Sequence, residues 1–256
     1  MGATRPSTGH LTPSSPNGKL AGIMAERPSP RPGKFAAERL RHVPLFSHLS
    51  DQELGRILAV ARTRTHPRNS IILFENDPGD ALFVVLAGEV KVVLAGEDGR
   101  EVILSILKEG DFFGEMALID DRPRSANVVA TADSILLVLH RGDFQACLEE
   151  NPRIAFGLLQ ELSRRLRLAD DKIGALVLLD VNGRIAQLLL TLADEHDGLS
   201  VPRTVTHHTI AQMIGSTRES VTRTLRDLQE RGLIRISKAH IAVIDRAGLE
   251  RLASPR

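Results

Sequence analysis

One stretch limits what this chain can become. Between Pro152 and Leu179 the residues Ala155, Leu159, Leu162, Leu166, Ala169, Ile173 and Leu176 fall alternately four and three apart. That spacing predicts a long helix with one narrow apolar seam, the arrangement two helices share in a coiled coil. Pro152 belongs in the first turn, where its missing N–H costs nothing. A helix packed only on its own domain would show a wider apolar face, so these seven residues are the expected contact of a homodimer. Leu158, Val177, Leu178 and Leu179 lie off the seam and are expected to pack within the chain. The rod joins a strand-rich region to a short helical one, so a change at one end can be passed to the other.

The remaining chain is long enough, at 256 residues, for two modest domains with their own cores. Lys and Arg number 33 against 32 Asp and Glu, so bulk charge names no partner. After Asn182 the balance is mildly basic, eleven against eight. The single cysteine, Cys147, excludes an internal disulfide framework and any multi-cysteine metal or iron–sulfur site. It reads as a small buried hydrophobe in a reducing compartment. No apolar run approaches the length of a membrane span and the first residues lack a secretory core. A cytoplasmic protein without a membrane partner is therefore expected.

Four regions are expected in order. Residues 1–35, dense in Pro, Gly, Ser and Thr, predict a disordered tail. Within it Thr12, Ser15 and Ser29 precede prolines and are candidate phosphorylation sites, and Met24 is a candidate second start. Residues 36–151 predict a sensor domain. It opens with short helices, one begun by a Ser50/Glu53 capping box and running to about Ala61. Short β-branched segments follow, broken by Asn76-Asp77-Pro78-Gly79-Asp80, Gly88 and the hairpin signal Asp98-Gly99. Their regular spacing predicts an antiparallel jelly roll or barrel. Residues 152–179 form the rod and 180–256 a helical domain entered through a hinge that Asp180 caps. The fold class is α+β.

Two constellations carry chemistry. The first is Gly110-Asp111-Phe112-Phe113-Gly114-Glu115-Met116-Ala117-Leu118 followed by Arg122-Pro123-Arg124-Ser125-Ala126. Gly114 lets backbone amides approach an anion, Arg124 offers a fork that suits a phosphate, Ser125 adds a hydroxyl, and Glu115 accepts from a sugar hydroxyl. A plain structural ion pair between Glu115 and Arg124 fits the same spacing. The second is the run from Thr204 to Ile234. Thr206 caps a helix whose Ile210, Met213 and Ile214 face inward, Gly215 turns the chain, and Ser216-Thr217-Arg218-Glu219 reads as a capping box opening a second helix. Helix, glycine turn and helix predict a DNA-reading helix-turn-helix. On its second helix Val221, Leu225 and Leu228 turn inward, while Arg218, Glu219, Thr222, Arg223 and Arg226 face outward near the capped start. Two strands around Lys238 then predict a wing. All eight phenylalanines precede residue 157 and there is no Trp or Tyr, so a stacking platform for single strands is missing and duplex DNA is the expected target.

These motifs resemble the catabolite activator (CRP/FNR) family of bacterial transcription regulators over roughly residues 38–245. The run F-G-E-M-A-L with P-R-S-A-N-V, the glutamate and arginine nine residues apart, is similar to the phosphate-binding cassette of cyclic-nucleotide-binding domains. The resemblance implies that Glu115 holds a ribose 2′-hydroxyl and that Arg124 and Ser125 hold a cyclic phosphate. It further implies that Gly114 and Met116 line the sugar and that Arg165 approaches the phosphate. Where cyclic-AMP-responsive members read adenine with a Thr-Ser pair, this chain has Ala169 and Asp170. Base identity stays open among cyclic AMP, another nucleotide including a cyclic dinucleotide, and no ligand. In the reading helix the resemblance implies a TGTGA-like half-site, with Arg218 forked on a guanine, Glu219 accepting from a cytosine and Arg223 on a further step. Ser220 and Thr222 fill the intervening positions. Thr206, His207, His208, Ser216, Thr217, Arg226 and Lys238 complete the expected DNA surface, His207, His208 and Thr217 at phosphates. RNA polymerase is a candidate partner.

No metal, haem or iron–sulfur cofactor is expected. Asp194, Glu195, His196 and Asp197 resemble a metal site in composition only and read as a solvated helix end. No nucleophile–base pair accompanies the cassette, so an enzyme is not expected. Two other readings remain: a regulator whose pocket is vestigial and which is controlled by phosphorylation or partners, and a ligand-sensing subunit of a partner enzyme.

Overall fold

A computed structural model of the chain describes residues 33–196, 198–202, 205–238 and 240–254. The candidate phosphorylation sites Thr12, Ser15 and Ser29, the candidate start Met24, and Asp197 lie outside the described residues.

The first helices are α1 (Lys34–Leu40) and α2 (Asp51–Val60), joined through a 3₁₀ turn at Pro44–Phe46. Eight strands follow: β1 (Arg62–His66), β2 (Ile71–Leu73), β3 (Ala81–Ala87), β4 (Glu89–Ala95), β5 (Glu101–Lys108), β6 (Phe112–Phe113), β7 (Asn127–Ala130) and β8 (Ser134–His140). The short helix α3 (Met116–Asp120) interrupts them between β6 and β7. They form two antiparallel four-stranded sheets, ordered β1-β8-β3-β6 and β2-β7-β4-β5, the jelly roll expected. β3 shows why its sequence is apolar throughout instead of alternating. Ala81, Phe83 and Val85 point between the sheets and meet Val90, Leu107 and Val128. Leu82, Val84 and Leu86 point the other way into a layer of helices, where Leu40, Phe46 and Phe144 cover them. A strand buried on both faces has no polar side to show.

Two further helices close the sensor, α4 (Arg141–Glu150) and the rod α5 (Pro152–Leu178). The expected capping box is present. Ser50 Oγ accepts from Glu53 N at 3.4 Å, and Glu53 Oε2 accepts from Ser50 N at 2.7 Å. Glu53 Oε1 also accepts from Asn151 Nδ2 at 2.6 Å, and Asn151 caps α5. One carboxylate thus ties the start of α2 to the start of the rod. Ser50→Ala is expected to cost about 1 kcal/mol, the usual loss of an N-cap, read as a lower midpoint in thermal unfolding followed by circular dichroism.

Along α5 only Ile154 and Leu158 are buried. The seam residues Leu159, Leu166, Ile173 and Leu176 stand 52–63% exposed, Ala169 is exposed, and Ala155 and Leu162 are partly covered. The expectation that Val177 and Leu178 pack within the chain is corrected. They are 75% and 61% exposed, because the last turns of the rod run beyond the sensor core. Leu179 is half-buried.

The C-terminal part comprises α6 (Val181–Asp194), β9 (Ser200–Pro202), α7 (His207–Ile214), α8 (Arg218–Glu230), β10 (Ile234–Ile236), β11 (His240–Val243) and α9 (Arg246–Ala253). Asp180 caps α6, accepting from Gly183 N at 2.8 Å. Ile185, Leu189, Ile210, Val221, Leu225 and Leu228 share a second core with Ile234 and Ile241 of the small sheet ordered β10-β11-β9. The two parts of the chain touch: α7 lies against β5, the edge strand of its sheet. Gln212 of α7 donates to Glu101 Oε2 at 2.8 Å, and Lys91 Nζ donates to the same oxygen at 2.9 Å. From the rod, Lys172 Nζ donates to the carbonyl of Leu104 at 2.5 Å.

Candidate ligand pocket and DNA-reading face

The cassette folds as strand, glycine turn and short helix. Gly114 has φ +86°, and a Cβ there would lie 2.6 Å from Arg124 Nη1 and 2.9 Å from the Ala81 carbonyl, so only glycine fits. Arg124 is buried. It donates from Nη1 to the Gly114 carbonyl at 2.7 Å and from Nη2 to the Ala81 carbonyl at 2.9 Å. Its guanidinium carbon sits 5.8 Å from the ring centre of Phe83, which stacks on Phe113. Glu115, 3% exposed, faces α5, where Arg165 Nη1 donates to Oε1 at 3.1 Å. Burial holds the Glu115 carboxyl above the ordinary carboxylate range, against the pull of Arg165.

Two polar atoms of this pocket are left without a partner, Glu115 Oε2 and Arg124 Nε. A buried oxygen that wants a donor, near a buried N–H that wants an acceptor, suits a ligand carrying both a hydroxyl and an anionic oxygen. The plain ion pair is not what holds Arg124, which donates to two backbone carbonyls. Glu115 pairs with the rod instead.

Arg165 approaches the pocket from α5 but spends its donors on Glu115, on the Phe112 carbonyl at 2.6 Å and on Glu161 at 2.8 Å. Its guanidinium also lies over the Phe112 ring at 4.7 Å. It is a strut between the rod and the pocket floor. Glu161, which receives Arg164 as well, is a member of this network that the sequence reading missed. Its i,i+4 spacing to Arg165 was the available signal. At the rim, Ser125 Oγ meets Met116 Sδ at 3.7 Å, beside an open cleft of about 310 Å³ that Glu75, Asn76 and Arg122 help line. Ala169 and Asp170 are exposed on the rod.

The second face is built by α7, Gly215 in the left-handed region at φ +63°, and α8. The capping box expected at Ser216 and Glu219 does not form. The backbone N–H of Ser216 closes α7 by donating to the Ala211 carbonyl, so the cap falls one residue later, on Thr217, which accepts from Ser220 N at 3.2 Å. Thr206 caps α7 in the same way, accepting from Thr209 N at 3.1 Å. Val221, Leu225 and Leu228 are buried, and Thr224 is buried with them, donating to Asn182 at 2.9 Å. Arg218, Glu219, Thr222, Arg223 and Arg226 are all exposed, and Ser220 is half-buried. Arg226 pairs with Glu230 at 2.9 Å. His207 Nδ1 lies 3.0 Å from Thr222 Oγ1, bridging the two helices. His208 lies on α7 within electrostatic reach of Glu101, whose carboxyl Lys91 and Gln212 hold below its usual range. Gln212, buried and bonded to the sensor, was not singled out by sequence, since nothing local marks a partner 111 residues away. Lys238 is exposed beyond the end of β10.

Asp194 pairs with Arg246 at 2.8 Å and Glu195 with Lys108 at 3.3 Å. Among the described residues no cluster of metal-ligating side chains occurs and no helix is long and apolar enough to cross a membrane.

Comparison with known proteins accounts for both faces. A family model described as the cyclic nucleotide-binding domain matches residues 63–151, and one described as the Crp-like helix-turn-helix domain matches residues 183–252. The Cyclic AMP receptor protein of Thermus thermophilus is 36% identical over 210 residues, covering 82% of this chain and 96% of its own. The CRP-like cAMP-activated global transcriptional regulator of Mycobacterium tuberculosis is 30% identical, over 84% of this chain and 99% of its own. Among solved structures, the c-di-GMP responsive global regulator CLP of Xanthomonas campestris superposes with a TM-score of 0.68 at 26% identity, over 76% of this chain and 99% of that one.

Proposed function

Because the chain belongs to the CRP/FNR family of transcription regulators, DNA-binding and carrying a cyclic-nucleotide-binding domain, we propose that it acts as a homodimer reading an inverted repeat of TGTGA-like half-sites under control of a ligand in the jelly-roll pocket. The observation that carries the DNA reading is the outward face of α8, where Arg218, Glu219 and Arg223 cluster at a capped helix start. Arg218 forks onto a guanine, Glu219 accepts from a cytosine amine and Arg223 meets a further step. Thr206, Thr217 and Ser220 act through helix capping, and His207, His208, Ser216, Arg226 and Lys238 belong to the backbone-facing margin. Two such helices about one DNA turn apart match a pseudo-palindrome. Selection of duplexes from a random pool tests this. Enrichment of inverted repeats supports the reading, and enrichment of nothing refutes it. Contact with RNA polymerase is part of the same proposal.

The two unpartnered pocket atoms support a ligand that carries a hydroxyl and an anionic oxygen. Glu115 takes a sugar hydroxyl, while Arg124 and Ser125 take a cyclic phosphate, with Gly114 and Met116 against the sugar. Ala169 and Asp170, exposed on the seam side of the rod, reach a base only where a partner rod brings them over the pocket. Calorimetry with cyclic AMP, cyclic GMP and cyclic di-GMP on the full chain identifies which is taken, and heat from none of them favours a vestigial pocket. For a nucleotide that binds, Glu115→Gln is expected to weaken affinity by about 1.5 kcal/mol, the scale of one charge-assisted bond. The 2′-deoxy analogue should not register that substitution.

A further inference from the structure

Resting on the DNA reading above, we infer that Thr222 determines specificity at one base step by presenting its methyl group to a thymine methyl, with His207 as the positioning residue. Thr222 Oγ1 donates to the Arg218 carbonyl at 2.9 Å, so the hydroxyl's one hydrogen is spent inside the helix. The tautomer that carries its hydrogen on His207 Nδ1 lets both bonds form, the 3.0 Å contact then running from Nδ1–H to the hydroxyl oxygen. A hydroxyl that gives its proton backward and receives one from the neighbouring helix has no donor left for a base edge. Yet Thr222 is exposed, between Arg218 and Glu219 on one side and Arg223 on the other. Beyond one remaining acceptor lone pair on the oxygen, the group it has left to offer is its methyl. In the major groove the one apolar feature that distinguishes a base pair is the C5-methyl of thymine. Two hydrogen bonds also hold χ1, so the methyl is presented without the entropy of a free rotor. The bridge between α7 and α8 fixes the pitch of the reading helix as well, because His207 is the first residue of α7.

The test uses the full chain and a duplex recovered by selection, in the absence and presence of cyclic AMP. Each thymine of a half-site is replaced in turn by deoxyuridine, which removes only the methyl, and affinity is read by fluorescence anisotropy. One thymine per half-site is expected to cost roughly fourfold on replacement, the scale of one buried methyl group. Thr222→Ser keeps both hydrogen bonds and should bind the thymine and uracil duplexes equally. Thr222→Val keeps the methyl and should retain the preference. His207→Ala should lower the thymine-to-uracil ratio, a readout that loss of a mere phosphate contact leaves unmoved, since such a loss weakens both duplexes alike. A wild-type protein indifferent to every replacement, or a Thr222→Ser protein that keeps the preference, overturns the inference while leaving the DNA reading intact. Failure to recover any duplex overturns the DNA reading itself, and this with it.

Discussion

Leu166→Glu together with Ile173→Glu is expected to yield a protein that sediments as a single chain and has lost most of its affinity for an inverted repeat. Both side chains project from α5 at 63% and 59% exposure and contribute little to the core of the described chain. The substitutions should therefore leave the monomer's circular dichroism and unfolding midpoint almost unchanged. Across a two-stranded seam the same positions face each other, where each leucine or isoleucine that leaves water contributes about 1.5–3 kcal/mol. Facing glutamates reverse that gain and add like-charge repulsion. The loss for DNA is larger than the loss of any contact, since two tethered half-site interactions exceed one by roughly 10²–10⁴ in affinity. Binding to an isolated half-site, weak in either protein, should not differ. A double variant that still sediments as a dimer would falsify the proposed seam.

Arg218→Ala is expected to cost roughly 1–3 kcal/mol of discrimination between the selected half-site and one with its guanine changed. Arg218 is the first residue of α8 and exposed. Truncation therefore opens no cavity, and Thr217 keeps its cap on Ser220 N, so helix and fold survive. On the proposed reading, what goes is a bidentate contact with the guanine. The contrast is with Lys238, where an alanine should weaken every duplex to a similar small degree and flatten the salt dependence. Competition gel shifts with matched and mismatched duplexes separate the two cases. Equal losses on both duplexes for Arg218→Ala would place that side chain on the backbone and not on a base.

Much of the fold was legible wherever periodicity was strict. The rod shows itself through a four-three repeat that only a helix can hold on one face, and β3 to β5 through β-branched runs ended by glycine and Asp-Gly turns. β1, Arg-Thr-Arg-Thr-His, carries no apolar pattern. It becomes a strand only by pairing with β8, from Arg62 opposite Val138 to His66 opposite Ser134, and such pairing has no local signature. The pocket was legible in its residue types and not in its partners. Glu115 turns toward Arg165, fifty residues on, and Arg124 toward two backbone carbonyls, because a buried guanidinium takes whatever acceptors the fold brings to it. Val177 and Leu178 at the end of the rod depart from expectation for a related reason: apolar character says that a side chain gains by leaving water, but not which surface will cover it.

β5 is the outermost strand of its sheet, and its sequence Glu-Val-Ile-Leu-Ser-Ile-Leu-Lys is mostly greasy. What guards it is borrowed: α7 leaning on one end and Lys172 capping the Leu104 carbonyl. Were the C-terminal part drawn away from β5, that guard would be lost and bare amides and carbonyls would face solvent, a template on which a stranger's strand can add. Substitutions that loosen the α7–β5 contact are therefore expected to make the chain self-associate through that edge.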